Sequence, residues 1–289
     1  MRILISGSSG QLGAEIARQL SSQHDIVGID VVEGVWTHHR VNIVDREAVR
    51  SLMKGIDAVI HIASLHAPHL ATVSKQAFID VNVTGSLNML EAATDGGVQR
   101  FVYTSTTSLY GLALLPHEQA VWVTEELPPQ PRDMYDITKR VAEELCQHFA
   151  REHGLPTICL RTSRFFPEPP SLVALYRLYR GVDVRDAARA HVLAVTNQNI
   201  LFDVLNISAQ SPFGQSDLPA LLRDAPSVIQ NKAPEAFSFF RQQGWIVPQS
   251  IDRVYVIERA QRILGYQPKY NYQEYLQAFE SEGKSSQNE

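Results

Sequence analysis

Cysteine is nearly absent: Cys146 and Cys159 are the only two in 289 residues. They are too few for a disulfide framework and lack the close spacing of a metal-ligand set, so both read as buried thiols. A basic excess is missing as well. With 26 Lys and Arg against 31 Asp and Glu the formal charge is −5, which argues against a nucleic-acid partner, since neutralising phosphates takes a dense basic face. No run approaches the roughly 18 uncharged apolar residues of a membrane span. The N-terminal MRILISGSSG passes straight into strand and turn chemistry rather than a secretory leader. The expectation is a cytoplasmic protein with neither a membrane nor a nucleic-acid partner. What is present suffices for a large core: 44% of the residues are apolar and 20% charged, enough for one large domain or a domain with an added lobe.

The first half alternates short β-branched runs with longer helical patterns, the sequence form of βαβ units covering a parallel sheet on both faces. Strands are expected at 2–6, 25–30, 58–62, 101–106 and 157–161, with a minimal one, third in order, at 40–42. Helices with one apolar stripe are expected at 11–22, 46–54, 74–94 and 134–153. The fold class is therefore α/β, a doubly wound parallel sheet. After Arg161 the texture changes: FFPEPPS reads as a proline-broken loop, 185–196 as a helix and 202–208 as a strand. Short amphipathic helices at 216–223, 233–243, 251–264 and 272–281 suggest a small, mostly helical lobe over the carboxyl edge of the sheet. The division expected is a sheet domain of 1–162 plus 184–208 and a substrate lobe of 163–183 plus 209–282. The tail 283–289 has nothing apolar to bury and is expected to be disordered.

Gly7, Gly10 and Gly13, with Gln11 and Leu12 between the last two, follow the first strand and open the first helix. In that context a glycine-rich turn can hold a pyrophosphate on backbone N–H groups at a helix N-terminus, with glycine where side chains would block the approach. By itself the spacing is a weak signal. The second strand strengthens it by ending in Asp30, about twenty residues on, where a carboxylate accepts hydrogen bonds from the adenosine ribose hydroxyls. That carboxylate repels a 2′-phosphate, and no Lys or Arg at Ser8, Ser9, Val31 or Val32 offsets it. NAD is the expected cofactor.

Tyr135 and Lys139 lie one turn apart on one face of a helix start. An ammonium there can lower the phenol's pKa and bind the nicotinamide ribose, giving an acid or base that works near neutral pH. A Tyr and a Lys at this spacing are usually structural. However, the segment YTSTTSLYG at 103–111 ends another strand, and strand carboxyl ends are where ligands bind in open α/β sheets. A hydroxyl there can hydrogen-bond a reacting substrate oxygen.

Together these residues resemble the extended short-chain dehydrogenases/reductases, which include NAD-dependent epimerases, dehydratases and sugar dehydrogenases. The resemblance covers nearly the whole chain, through the three glycines, Asp30, the run from Asp57 through His61, Ile62 and Ala63, Asn82-Val-Thr-Gly85, the 104–111 segment, Tyr135-x-x-x-Lys139, and Leu205 to Ser208. It implies a Rossmann fold with Ile62 and Ala63 beside the cofactor. It also implies Thr106 as the triad hydroxyl, Tyr135 as acid/base, Lys139 as its ribose-binding partner and Asn82 as support for the active-site architecture. The bland alternative for Asn82 is a helix-internal bond to backbone. Where many members carry Asp-Ile or Asp-Leu after the third strand, this chain has Asn42-Ile43, and the Asn42 amide oxygen can still accept from the adenine amine. The family often dimerises through the two long helices, which makes a homodimer the expected assembly, with Leu87, Ala142, Leu145 and Phe149 as candidate contacts unless they face the sheet.

Only 23 residues separate Arg161 from Arg185, where nucleotide-sugar epimerases of this group usually insert a longer stretch. The segment RTSRFFPEP is similar to the compact uronate dehydrogenases, which oxidise a sugar acid at its anomeric carbon. Two departures put uronate itself in doubt: Val173 stands where their carboxylate-binding arginine aligns, and Thr107-Ser108 where Asn-His follows their triad serine. Arg164 could supply a different anion contact, and His66 or His69, in the loop after the strand at 58–62, could hydrogen-bond a substrate. A metal cluster of these with His61 is not expected. Phe165, Phe166, Tyr176 and Tyr179 either line the pocket or pack the lobe. The substrate set expected is His66, Thr106, Thr107, Ser108, Tyr135 and Arg164. The resemblance thus implies interconversion of a small sugar-like alcohol and its carbonyl, Tyr135 moving the proton and NAD the hydride. An epimerase or dehydratase that retains NAD is the alternative. A non-catalytic NAD-binding regulator is the third reading, disfavoured by the intact Thr106, Tyr135 and Lys139.

Overall fold

A computed structural model describes residues 1–285, with side chains through Ser281. Its strands are β1 (Arg2–Ser6), β2 (Asp25–Asp30), β3 (His39–Arg40), β4 (Ala58–His61), β5 (Arg100–Thr106), β6 (Val121–Val123), β7 (Thr157–Thr162), β8 (Phe202–Ile207) and β9 (Arg253–Tyr255). Seven form one parallel sheet in the order β3-β2-β1-β4-β5-β7-β8, and β6 pairs with β9 in a separate parallel ladder. β5 and β7 are buried at every position, as strands covered on both faces must be. The order reverses between β1 and β4, and the crevice at their carboxyl ends is where this topology admits a ligand.

The helices are α1 (Gln11–Leu20), α2 (Arg46–Leu52), α3 (Lys75–Phe78), α4 (Gly85–Asp95), α5 (Met134–His153), α6 (Pro170–Arg177), α7 (Val184–Thr196), α8 (Leu218–Arg223), α9 (Ala225–Lys232), α10 (Pro234–Gln242), α11 (Glu258–Leu264) and α12 (Tyr272–Ser285). One face of the sheet packs Ile5, Ile60 and Leu160 against Ile16 of α1 and Ala190 of α7. The other packs Leu4, Val59 and Phe101 against Met89 of α4 and Cys146 of α5. Ala142 and Phe149 belong to this second core, and Leu87 and Leu145 pack against it, so the four residues considered for a dimer contact face the sheet. The lobe has its own core, with Leu178, Leu221, Phe240 and Val254 inside. Both cysteines are buried and free, and among the described residues no helix is long and apolar enough to cross a membrane.

The structure corrects several expected elements. The third strand sits at His39–Arg40 rather than 40–42. The single helix expected over 74–94 is three pieces, because a π-helical turn, Ile79–Thr84, separates α3 from α4. The proline-rich segment expected to be loop starts α6, with Pro170 at the first turn, where a missing N–H costs nothing. Residues 253–255, expected to be helical, are β9, because their backbone finds β6. That pairing also draws 121–123 into the lobe, which three stretches of chain therefore build. Helix α12 runs through Ser285, so 283–285 of the expected disordered tail are helical, and 286–289 lie outside the described residues.

Candidate active site

The glycines after β1 serve two different ends. Gly7 has φ +77°, and a Cβ on it would stand 2.9 Å from the Ala63 nitrogen; one on Gly13 would stand 2.1 Å from the Gly7 oxygen. These two let β1, the end of β4 and α1 close together. A Cβ on Gly10 would meet only the Gly7 oxygen, at 3.4 Å, so Gly10 keeps space open instead. Gly10, Gln11, Leu12 and Gly13 line a cavity of about 520 Å³, and the first N–H groups of α1 lack intrahelical acceptors there. A helix start without a side chain in the way is a fit for a pyrophosphate.

Asp30 is fixed at the end of β2 by N–H groups of Ser9 at 3.0 Å and Val32 at 3.1 Å, one on each carboxylate oxygen. Each oxygen keeps lone-pair capacity for a ribose diol. Asn42 accepts from the Val44 N–H at 3.1 Å, and Asn88 donates to the carbonyls of Ile43 and Val44. Ile43 is buried against Gly85. The Asn42-Ile43 turn is therefore held rigid, with one lone pair left on the Asn42 oxygen. Gly7, Asp30, Asn42, Ile43 and Ala63 lie outside the cavity wall, whereas Ile62 is part of it.

Thr106, Thr107, Ser108, Tyr135 and Lys139 converge on the same cavity. β5 delivers the first and α5 the last two; α5 starts where the Asp133 carboxylate caps the Asp136 N–H at 3.0 Å. Burial pushes the Tyr135 phenol up to about 12, with the neighbouring Thr106 hydroxyl opposing that shift. The Lys139 ammonium donates to the Thr104 carbonyl at 2.5 Å and lies 4.3 Å over the Tyr103 ring. Burial lowers it to about 8, with Glu143 opposing that shift.

Asn82 does not line the cavity. From the π-helical turn it accepts from the Leu65 N–H at 2.7 Å and donates to the Leu65 carbonyl and the Thr138 hydroxyl, each at 3.0 Å. Its side chain ties the loop after β4 to α5 and makes no bond within its own helix. His66 does line the cavity, with its ring 6.2 Å from that of Tyr135. Burial pushes it down to about 4, so it is a neutral hydrogen-bonding group. His61 is turned away, between the hydroxyls of Ser6 at 2.7 Å and Ser86 at 3.0 Å.

Behind Thr106 runs a buried network. Glu143 takes two bonds from Arg161, at 2.9 and 2.7 Å, and one from Ser105 at 2.5 Å. Arg161 also donates to the Tyr110 oxygen at 3.0 Å, and Tyr110 donates to Asn206 at 2.8 Å. Four sequence-distant elements are thereby locked at the carboxyl edge of the sheet.

The substrate end holds residues that the sequence did not single out: Arg132, Arg180, Arg253 and Tyr255 line the cavity with Phe165 and Phe166. No local motif marks them, because they arrive from separate loops and from β9. Arg164 also lines the cavity, ion-paired with Glu168 and 5.3 Å over Phe166.

Comparison with known proteins agrees with this geometry. The family model for the NAD dependent epimerase/dehydratase family matches residues 3–170. Among curated proteins, the chain is 24% identical over 178 residues to a uronate dehydrogenase of Pseudomonas putida, covering 59% of this chain and 63% of that protein. It is 30% identical over 171 residues to an L-arabinose 1-dehydrogenase (NAD(P)(+)) of Haloferax volcanii, 55% of this chain and 65% of that one, and to a rice GDP-mannose 3,5-epimerase 1, 54% and 44%. The matches thus span less than two thirds of each relative. Among solved structures, a short-chain dehydrogenase/reductase superfamily protein from Agrobacterium tumefaciens with bound NAD superposes over 100% of both chains, with a TM-score of 0.73 at 19% identity. A Thermus thermophilus UDP-glucose 4-epimerase complex with NAD gives 0.69 at 21% identity over 96% of each chain. The motif run from the glycine turn to the helix of Tyr135 and Lys139 falls inside the matched residues, and the chain belongs to the NAD-dependent epimerase/dehydratase family, whose cofactor is NAD.

Proposed function

We propose that the chain is a NAD-dependent dehydrogenase that interconverts a small sugar-like alcohol and its carbonyl, with Tyr135 as the acid/base. The observation that carries this reading is the convergence of Thr106, Tyr135 and Lys139 on one cavity with the helix start after Gly10. Gly10, Gln11, Leu12 and Gly13 would hold the pyrophosphate, Asp30 the adenosine ribose and Lys139 the nicotinamide ribose. When bound, NAD supplies the hydride acceptor. The rest is proton handling and placement. Thr106 and Tyr135, which line the same cavity, would hold the substrate oxygen between them. A phenol near 12 keeps its proton at neutral pH, which suits protonation of a forming alkoxide in the reductive direction. Oxidation needs the phenolate, and the Lys139 charge one turn away is placed to stabilise it. His66, neutral, offers a further hydrogen bond to a hydroxyl.

The size of the substrate end supports a small substrate. About 520 Å³ must accommodate the nicotinamide end of the cofactor as well, and Phe165 and Phe166 narrow what is left. Relatives named as uronate and arabinose dehydrogenases point the same way. The test is a panel of sugars, polyols and hydroxy acids followed by NADH absorbance. NADH formed in proportion to substrate supports the reading. Protein that purifies with tightly held NAD and turns over with no net NADH replaces it with a NAD-retaining epimerase.

A further inference from the structure

Four guanidinium groups face the cavity, from Arg132, Arg164, Arg180 and Arg253. Three are already answered by a carboxylate: Arg132 by Asp136 at 3.3 Å, Arg164 by Glu168 and Arg253 by Asp252. Arg180 is different. Among the described residues it makes no ion pair, and its Nε is closed off from solvent with no acceptor. Its guanidinium is held 4.0 Å over the Tyr176 ring and 5.6 Å from that of Tyr179. Ring faces steady a cation but accept almost none of its five N–H donors. A half-buried cation without a counter-ion is a cost to the fold, and one turned into a ligand cavity has that cost relieved when an anion arrives.

Arg180 is held in place from two sides. Its own N–H donates to the Tyr176 carbonyl at 2.7 Å, and the Tyr255 N–H of β9 donates to the Tyr179 carbonyl at 2.9 Å. That second bond brings β9, with Arg253, beside the turn that carries Arg180. The buried Nε of Arg253 also lacks an acceptor. Its charge is spent on Asp252, but a donor remains.

We propose that Arg180 reads a single negative charge on the substrate, namely the carboxylate of a small hydroxy acid or sugar acid, with Arg253 as a second donor. This deepens the dehydrogenase reading of the same cavity and rests on it. The charge count sets the class. Of the four arginines, three are neutralised by their own acids and Arg180 alone is left uncompensated, which matches a carboxylate. A phosphate dianion or a diphosphate would bring negative charge beyond what Arg180 answers. Arg164, the anion contact considered from the sequence, already spends its charge on Glu168.

The experiment is calorimetric titration of NAD-loaded Tyr135→Phe protein, which separates recognition from turnover. The probes are matched: lactate, gluconate and glucuronate, their neutral counterparts propanediol, glucitol and glucose, and glucose 6-phosphate. At least one acid is expected to bind roughly 10- to 100-fold tighter than its neutral counterpart, the range for a charge-assisted hydrogen-bonded pair, and tighter than the phosphate ester. Adding Arg180→Met should erase that ratio and Arg180→Lys restore part of it. The melting temperature of Arg180→Met should hold or rise, because an unanswered cation has been removed. Absence of acid preference in every pair, a preference that survives Arg180→Met, or tighter binding of the phosphate ester overturns the proposal. Wild-type NADH production without acid preference sinks this inference and leaves the dehydrogenase reading standing; acid preference without NADH production does the reverse.

Discussion

The two ends of the cavity are built by different means. The cofactor end is made of backbone, glycines that permit close approach and a helix start, with a carboxylate pinned by two N–H groups beyond the cavity wall. The substrate end is made of long side chains, four arginines and several aromatics, brought from loops, from the turn after α6 and from β9. Backbone chemistry needs particular residues at fixed local spacing, so it leaves a motif. Side-chain chemistry needs only that distant segments meet, so it leaves none. The first kind of site suits a ligand that never changes; the second suits one that differs between relatives.

Predictions follow that contrast from the junction outward. Tyr135→Phe, where the two ends meet, should lower turnover by about 10²- to 10⁴-fold while NAD titration gives an unaltered dissociation constant; equal loss of both would erase the distinction between the ends. Glu143→Gln leaves Arg161 buried and unpaired beneath both. It should cost about 3–5 kcal/mol in urea unfolding, the range for a broken buried pair, and a loss under 1 kcal/mol would show that the ends do not share this foundation.

Acid should act next. His191 is buried between the Thr104 hydroxyl at 2.8 Å and the Ala187 carbonyl at 2.7 Å, and burial depresses it from 6.5 to about 4. The unfolded chain therefore takes up the proton first. Stability from this ring is full above pH 6.5 and drains as pH falls toward 4, by about 3 kcal/mol for a shift of this size. Circular dichroism melts between pH 7 and 4.5 check it, with His191→Asn flattening the profile.

Smaller effects separate the glycines. Gly13→Ala should destabilise by about 1–3 kcal/mol through overpacking, whereas Gly10→Ala should leave the melt in place and weaken NAD binding; identical melts for the two would contradict the division of labour drawn above. Smallest is Asp30→Ser. Arg40 stands beside this site, reaching the Val31 carbonyl at 3.4 Å and Glu33 at 3.5 Å. Removing the carboxylate should shift the NAD-to-NADP preference toward NADP by about tenfold, read from cofactor titrations.

Legibility in the sequence divides the same way. The β-branched runs locate the sheet strands to within a residue or two, since burial on both faces leaves little else they can be. Asp30, the glycines, Thr106, Tyr135 and Lys139 were legible because neighbours on one turn or one strand end fix them. Tertiary pairing hid the rest. Residues 253–255 carry a helix-compatible pattern but take up the edge of β6, and Asn82 gains its role from a widened turn that no periodicity reports. The bond from Lys139 to the Thr104 carbonyl left no mark in the sequence either, because it depends on how β5 meets α5. Arg180 had no signal at all, its meaning lying in the carboxylate that is not there.

The β6–β9 ladder has a consequence for recombination. Val121 to Val123 lie between two halves of the cofactor domain in the chain, yet in space they are one strand of the lobe, joined to Arg253 to Tyr255. A chimera that exchanges only the C-terminal third with a relative would marry a foreign β9 to a native β6 and misplace Tyr255 against the turn of Arg180. Grafting a new specificity onto this scaffold therefore takes two exchanged segments, one carrying β6 and one carrying β9, on either side of α5.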